Sequence, residues 1–351
     1  MDDPRNTVTL SVNGLDYAGW TSVEVSAGFE QQARSFKLGI TWQWPGQGSA
    51  VRIAAGDLCE LRIGNDLVLT GWVSATPINH DHKQTALTVQ GESLTVDLVE
   101  CSAINDPGQW RQQRLEQIAQ ALAAPYGVRV RSELGVLEPI AVHAIQPGET
   151  VFQSLDRLLT VQMAYSTDDA EGGLVLVRPG SGGLACDDLE VGRNVLSATA
   201  TLSHQKRFTE YRIRGQRKRK TGETAEQASG VEAVALDPAV RRRVLVINES
   251  CQISERDAQR RADWEARSRE AQVWEATYKV QGWRQTNGEL WRQNTLVWVS
   301  DPILGLERWM LIAKVTYHLD GNGSVTTLQV APAAKFEINP IDPQRAKREA
   351  E

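Results

Sequence analysis

Neighbouring acidic and histidine side chains are the first candidates for chemistry in this chain. His80 and His82 flank Asp81, and a His-x-His pair on a strand can bind a metal. The chain has only 5 histidines and the sequence offers no third ligand, so an exposed polar hairpin turn is the favoured interpretation. Asp168–Asp169 and Asp187–Asp188 are acid pairs of the kind that glycoside hydrolysis uses, but they lie beside glycines and are typical of turns.

The other motifs also argue against an active site. The chain contains no GxSxG, no Walker loop and no HExxH. Its cysteines, at positions 59, 101, 186 and 251, are far apart and form no CxxC, which favours reduced thiols over a disulfide or zinc site. We therefore expect no catalytic residue, no cofactor and no metal.

Strand-like patterns dominate the elements that would position any site. Cys59, Leu61 and Ile63 alternate with charged residues, as in a half-buried strand. Two helices begin at capping residues, Thr150 with Gln153 three positions later and Ser254 with its partner at position 257. The predicted domains are a first β-barrel domain at 1–100, a small α/β domain at 101–182, a second β-barrel domain at 183–215 and 275–335, an inserted loop and helix domain at 216–274, and a charged tail at 336–351.

Two stretches of the chain resemble each other in order and spacing. Residues 57–90 and 295–330 both consist of a strand, a turn, a long strand, a polar hairpin turn and a strand of alternating Thr with Leu or Val. Any two β-meanders share part of this pattern. The alternative is two related barrels per chain, which in a threefold ring would present a nearly sixfold surface. The predicted fold class is therefore α+β and β-rich, with two related antiparallel β-barrel-like domains and small mixed α/β domains.

Composition limits the possible functions. The chain has 351 residues, of which 41% are hydrophobic and 23% charged, so it can bury a core and is not disordered. A net charge of -6 argues against a surface built wholly for nucleic acid. No apolar run approaches the roughly 20 residues of a membrane-spanning helix, so we expect no integral membrane segment and synthesis in a cytoplasm.

Three stretches resemble the baseplate hub proteins of contractile phage tails, the family to which the hubs of phage Mu and the T-even phages belong. They are Val12–Trp20 with the strands up to Trp42, residues 147–159 with the strand at 173–178, and the C-terminal strands at 289–330. The order of these blocks carries the resemblance, since hubs have no catalytic signature.

The resemblance implies a structural, non-enzymatic virion protein. It implies a homotrimeric ring between the sixfold tail tube and the threefold membrane-piercing spike. A central channel would pass the tape-measure protein and then DNA. Partners would be a second and third copy, the spike, the tube or other baseplate proteins and, transiently, DNA. Location would be the tail baseplate, after assembly in the host cytoplasm.

Two groups of residues are candidate contacts, each with a plainer alternative. A basic run, comprising Arg214, Arg217, Lys218, Arg219 and Lys220, is either a solvated loop balanced by nearby glutamates or a set of weak phosphate contacts in the channel. Trp42 and Trp44 can face one surface of an extended segment, and both core packing and a subunit or tube contact remain open.

One rival function comes from residues 147–150. Pro-Gly-Glu-Thr before a helix is also how many LysM peptidoglycan-binding modules begin. The alternative function is therefore a peptidoglycan-binding or lytic tail module. A helix N-cap explains the same residues.

Overall fold

The computed structural model describes residues 4–41, 53–80, 85–216, 229–321 and 323–341. Strands dominate both ends of the chain and short helices lie between them. The N-terminal strands are β1 (Val8–Val12), β2 (Leu15–Tyr17), β3 (Ser22–Gly28), β4 (Ser35–Thr41), β5 (Leu58–Ile63), β6 (Asp66–Ala75), β7 (Ile78–His80) and β8 (Thr85–Ser93). The middle elements are α1 (Val96–Glu100), β9 (Gln109–Gln113), α2 (Leu115–Ala123), β10 (Val130–Ser132), β11 (Ile140–Ala144), α3 (Val151–Gln162), β12 (Tyr165–Asp168) and β13 (Leu174–Val177).

The C-terminal half contains nine more strands and a long helix within the described residues. They are β14 (Leu189–Glu190), β15 (Val195–Ala200), β16 (Glu210–Gln216), β17 (Ser229–Leu236), β18 (Val244–Gln252), α4 (Glu255–Val273), β19 (Ala276–Gln281), β20 (Leu296–Asp301), β21 (Leu306–Asp320) and β22 (Gly323–Ala331). Short 3-10 helices lie at Pro4–Asn6, Ala124–Tyr126 and Ala333–Phe336. In the part of the chain that is described, no helix is both long and apolar enough to cross a membrane.

The two stretches that resemble each other in sequence, 57–90 and 295–330, fold with the same strand order, and the structure extends this repeat by two preceding strands in each case. In the first repeat the neighbouring strands are β3-β4-β8-β6-β5, and in the second they are β15-β19-β22-β21-β20. Chain order is also the same, from β3 to β8 and from β15 to β22, apart from the short β7. The second repeat differs by an insertion between its first two strands, β15 and β19. The repeat predicted from sequence is therefore a repeat of topology.

One 14-stranded sheet contains both repeats. The first strand of the first repeat, β3, pairs antiparallel with the long β21 of the second, from Val23 opposite Leu319 to Gly28 opposite Lys314. The prediction of two barrel-like domains is corrected here: among the described residues no repeat closes into a barrel, and the sheet runs from one repeat into the other. Alternating side chains fix which face of a strand is buried, but leave open which strand fills each edge.

The core of the first repeat follows the predicted alternation. Cys59, Leu61 and Ile63 are buried, whereas Glu60 and Arg62 between them are half-buried. The period of two residues thus predicted β5 and its inward face correctly.

The middle elements form a small α/β module with its own core. Helices α2 and α3 bury their apolar faces in one core with residues of β10 and β13, which pair in parallel, and β12 pairs antiparallel with β13. The predicted start of α3 is confirmed, because the Gln153 amide donates to the Thr150 hydroxyl (3.2 Å) and the Thr150 amide donates to the Gln153 side chain (2.9 Å).

A second compact unit comprises, of the described residues, 160–163, 199–216, 229–276 and 331–341. Its described core is the three-stranded sheet β17-β16-β18, covered by α4 through Ala258 and Ala262. The predicted cap of α4 is confirmed, because the Asp257 amide donates to the Ser254 hydroxyl (3.1 Å). Strand β16, which the sequence assigns to the second barrel, is instead the central strand of this sheet. Alternation at Tyr211 and Ile213 predicts a strand but not its neighbours.

Candidate interaction surfaces

Only one residue of the predicted basic run lies in the described chain. Arg214 is exposed on β16, and its guanidinium is 3.2 Å from the carboxylate of Glu232 on the neighbouring β17. Arg217, Lys218, Arg219 and Lys220 lie outside the described residues, as do Trp42 and Trp44. The structure therefore places Arg214 in an ion pair with Glu232.

The outer face of the sheet β17-β16-β18 carries a row of paired charges, with exposed apolar side chains on both sides of the row. Arg212 contacts Glu210 (2.5 Å) and Glu232 (3.6 Å), so the charges on the central strand are compensated locally. Exposed apolar side chains flank the row on both sides, namely Val234, Leu236, Val244 and Val246. Such a surface suits contact with protein better than contact with phosphate.

The histidine and acid pairs, for which the sequence favoured turns, differ in how far the structure describes them. His80 is exposed on β7, whereas Asp81 and His82 lie outside the described residues. No cluster of three or more His, Cys, Asp or Glu side chains suited to a metal ion occurs among the residues that are described. The Asp187 carboxylate accepts hydrogen bonds from the amide (2.8 Å) and the hydroxyl of Thr286, 99 residues further along the chain, so its contact is long-range and not that of a local turn.

Asp168 is not a turn residue but the centre of a buried polar network. Its carboxylate accepts hydrogen bonds from the Arg34 guanidinium (3.0 Å), the Arg34 amide (2.8 Å) and the Ser93 hydroxyl (2.6 Å). Burial raises the pKa of Asp168, while Arg34 and Ser93 act in the opposite direction. Since Asp168 belongs to the α/β module and Arg34 and Ser93 to the first repeat, the network fastens these two parts together.

A cavity of about 560 Å³ lies beside this network and is lined by charged residues. Most of those charges are already paired, Arg34 with Asp168 (3.0 Å) and Arg131 with Glu133 (2.7 Å). These ion pairs account for four of the charged side chains that line the cavity.

Arg284 makes a second connection that the sequence did not indicate. This arginine of the second repeat donates to the Asp66 carboxylate (2.6 Å) and to the carbonyl oxygens of Arg5 (2.7 Å) and Ile63 (3.0 Å) in the first. More than two hundred residues separate the partners in the chain, so no local pattern reveals the contact. The two repeats are thus joined by both a strand pairing and the hydrogen bonds of Arg284.

Within the described ranges, β15 and β7 are two strands of the sheet with exposed edges. Strand β15 is exposed along most of its length and pairs with β19, with one further bridge from Val195 to Val191. All three residues of β7 are exposed, and its partner is β8. Leu196 is 55% exposed and Ile78 is 50% exposed, so each edge carries a large apolar side chain.

Two of the residues at 147–150, which suggested glycan binding, already make contacts with other side chains of the α/β module. Thr150 caps α3, and the Glu149 carboxylate contacts the guanidinium of Arg157 (2.7 Å). These contacts favour the helix-cap interpretation over a carbohydrate site.

Comparison with known proteins gives concordant family matches. Residues 7–93 match the family described as Mu phage baseplate assembly protein GpP-like, N-terminal; residues 95–178 match baseplate hub protein gp44-like, second domain; and residues 254–339 match Mu phage baseplate assembly protein GpP, fourth domain. The chain is 33% identical to the baseplate hub protein gp44 of Escherichia phage Mu, over 98% of this chain and 92% of that protein.

Solved structures of similar fold come from tails and a secretion system. The 43 kDa tail protein of prophage MuSo2 from Shewanella oneidensis is 30% identical, covers 95% of this chain and 99% of its own, and has a TM-score of 0.83. The E. coli c3393 protein, a type VI secretion component described as structurally similar to the T4 tail proteins gp27 and gp5, is 13% identical, with a TM-score of 0.58 over 95% of this chain and 79% of its own. The latter similarity concerns the fold alone.

Proposed function

Because this chain belongs to the family of the Mu phage baseplate hub proteins and is a structural component of a phage tail baseplate, we propose that it forms a homotrimeric ring joining the sixfold tail tube to the threefold membrane-piercing spike. The observation that carries this proposal is the shared strand order of the two repeats. Three chains with two similar modules each supply six similar modules around one axis. The ring can then meet a sixfold partner on one side and a threefold partner on the other.

The role is mechanical rather than catalytic. The Asp168–Arg34 network, the Arg284 cluster and the β3–β21 pairing each join parts of the chain that would otherwise separate under load. Other buried charged side chains are paired as well, Arg207 with Asp237 and Arg261 with Glu265. We therefore propose that the hub transmits force and alignment during contraction and catalyses no reaction.

The axial opening of such a ring would admit the tape-measure protein and then DNA. Arg214 is already paired with Glu232, so any contact with DNA falls mainly to Arg217, Lys218, Arg219 and Lys220. Such contacts would be weak, independent of base sequence and sensitive to salt. Replacing these four residues by Ser should leave assembly intact and alter DNA ejection, and unchanged infectivity would argue against the contact.

Trp42 and Trp44 are proposed to contact the tube or a neighbouring copy. Alanine at both positions should weaken binding to the tail tube or to a second copy. If both interactions keep their wild-type strength, the two tryptophans serve the protein's own core.

The ring itself is tested by the solution mass over a dilution series, measured by light scattering. A mass three times 38.8 kDa that persists on dilution supports the proposal. A chain that stays monomeric alone and also after mixing with the spike protein of the same phage would refute it. If the chain trimerises only when the spike is present, the ring forms on binding to the spike and not before.

A further inference from the structure

We infer that β15 of one copy pairs with residues 75–80 of the next copy, repeating between chains the pairing that β3 and β21 make within one chain. This inference deepens the proposed trimer and rests on it. It identifies the surface of contact, and its partner is a second copy of this chain.

The topological repeat makes β15 the counterpart of β3, and the segment from β6 to β7 the counterpart of β21. Strands β3 and β15 are each the first strand of their repeat and lie at its outer end. The segment Asp66–His80 and β21, Leu306–Asp320, both follow the hairpin from the preceding strand and lie between that strand and the last strand of the repeat.

The backbone hydrogen bonds set the correspondence to the residue. In the second repeat the Ile312 amide donates to the Thr295 carbonyl (2.9 Å) and the Ile312 carbonyl accepts from the Asn294 amide (2.8 Å). In the first repeat Val73 makes the same two bonds, to the carbonyl of residue 57 (2.9 Å) and from the amide of residue 56 (2.7 Å). Val73 therefore corresponds to Ile312. A bulge between Val73 and Ala75 shifts the register against β8 by one residue, so residues 75–80 correspond to the part of β21 around 314–319 and not to single residues in it.

Residues 314–319 are where β3 pairs with β21. That pairing buries Val315 and Tyr317 on β21 and Val23 and Val25 on β3. Residues 75–80, by contrast, have β8 on one side but no neighbouring strand on the other among the described residues, and 77–80 are exposed.

Strand β15 is exposed in the same way. β3 is mostly buried because β4 and β21 lie on its two sides, whereas Leu196 and its neighbours on β15 lie at the end of the sheet. Each chain thus contains one such strand pairing, between β3 and β21. It also carries the two strands of a second such pairing, β15 and residues 75–80, which are not paired with each other in the described part of the chain. A free strand edge with an apolar side chain is a template for pairing with another chain.

Head-to-tail pairing of these two halves is heterologous, since a different surface of each copy takes part. A heterologous contact closes into a ring when its rotation divides a full turn. Together with the β3–β21 pairing inside each chain, three copies would have six similar strand pairings, three within chains and three between them.

The variants Leu196→Asp and Ile78→Asp test this interface in the full chain. Both side chains are already exposed in the single chain, so the substitutions should leave the fold and its circular dichroism unchanged. Each should raise the concentration at which half of the trimer dissociates by at least tenfold. Val136→Asp, at a site that is 87% exposed in the α/β module, is the matched control and should keep the wild-type mass.

The combination Leu196→Lys with Ile78→Asp places opposite charges on the two strands of the inferred pairing, β15 of one copy and residues 75–80 of the next. Because the two opposite charges would lie close together across the interface, the double variant should recover most of the trimer that either single charged variant loses. If both aspartate variants dissociate at the same dilution as Val136→Asp, the inferred interface is wrong while the trimer stands. A wild-type chain that stays monomeric even with the spike overturns the trimer and the interface together.

Amide hydrogen exchange of the wild-type chain gives a second readout that needs no variant. Peptides covering 195–200 and 75–80 should exchange at least tenfold more slowly at concentrations that favour the trimer than in dilute monomer. A peptide covering 133–139 serves as the reference and should exchange equally in both. Equal exchange at all three places, in a chain that does trimerise, refutes the strand pairing.

Discussion

Acidification should destabilise the α/β module through one buried histidine. His143 on β11 is 5% exposed; its Nε2 lies 2.8 Å from the Ser154 hydroxyl on α3, and its ring stacks on Trp110 at 5.9 Å. Burial and, to a lesser extent, the Arg157 guanidinium lower the pKa of His143 from 6.5 to about 4. The folded module therefore holds this imidazole neutral.

The sign and size of the effect follow from proton linkage. At pH 7 the imidazole is mostly neutral in both states, so its contribution to the free energy of unfolding is fully retained. As the pH falls from about 6.5 to about 4, the unfolded chain takes up a proton that the folded chain does not, and stability is lost. Between pH 7 and pH 5 the loss should reach about 2 kcal/mol, which corresponds to about 30-fold in the opening equilibrium.

Amide hydrogen exchange of peptides covering 140–159, corrected for the pH dependence of intrinsic exchange, measures this loss locally. Protection in the wild-type chain should fall about 30-fold more between pH 7 and pH 5 than protection in a His143→Gln variant. Glutamine retains a hydrogen-bonding group for Ser154 but does not titrate, so contributions from other groups cancel in the comparison. An equal fall in the two chains would refute the assigned role of His143.

Further outcomes can be checked with simple variants. Asp168→Ala should lower the free energy of unfolding by about 3–5 kcal/mol in urea titrations, because it leaves a buried guanidinium without its carboxylate; a loss below about 1 kcal/mol would contradict this. Gly71→Ala should cost about 1–3 kcal/mol, since a Cβ there overlaps the backbone of β8, whereas Gly135→Ala has open space and should be nearly neutral. Iodoacetamide at pH 8 should label exposed Cys186 rapidly and Cys59 only on unfolding, because burial raises the pKa of the Cys59 thiol to about 12; peptide mass spectrometry would reveal equal labelling if this is wrong.

Local features of the fold could be predicted from sequence because their causes lie within a few residues. The Thr150 and Ser254 caps each require a partner three positions later, and both pairs form. The inward face of β5 follows from strict alternation. The repeated order of strands was visible because both meanders kept their turns and strand lengths.

Partners distant in the chain could not be predicted. Arg34 and Asp168 are 134 residues apart, and nothing near either residue indicates the other. Strand β3 has the same alternating pattern whether its edge faces β21 or solvent. For the same reason β16 was assigned to the wrong sheet, although its existence was predicted. Trp42 and Trp44 lie outside the described residues and stay predictions.

The insertion within the second repeat affects the order in which the chain can fold. Strands β15 and β19 are neighbours in the sheet, yet residues 201–275 come between them. Joining them through an unstructured loop would cost about 2 kcal/mol more than joining β3 to β4 through residues 29–34. A compact insertion that folds first brings its own ends together and removes much of that cost.

Synthesis on the ribosome gives this arrangement a temporal consequence. At about 5–20 residues per second, β15 waits about 4–15 s before β19 is made. A nascent chain further advanced on the same messenger has made its residues 75–80 by then. Under the pairing inferred above, β15 on a polysome would meet those residues before it meets β19 in its own chain, so that assembly and the folding of the second repeat would become one process.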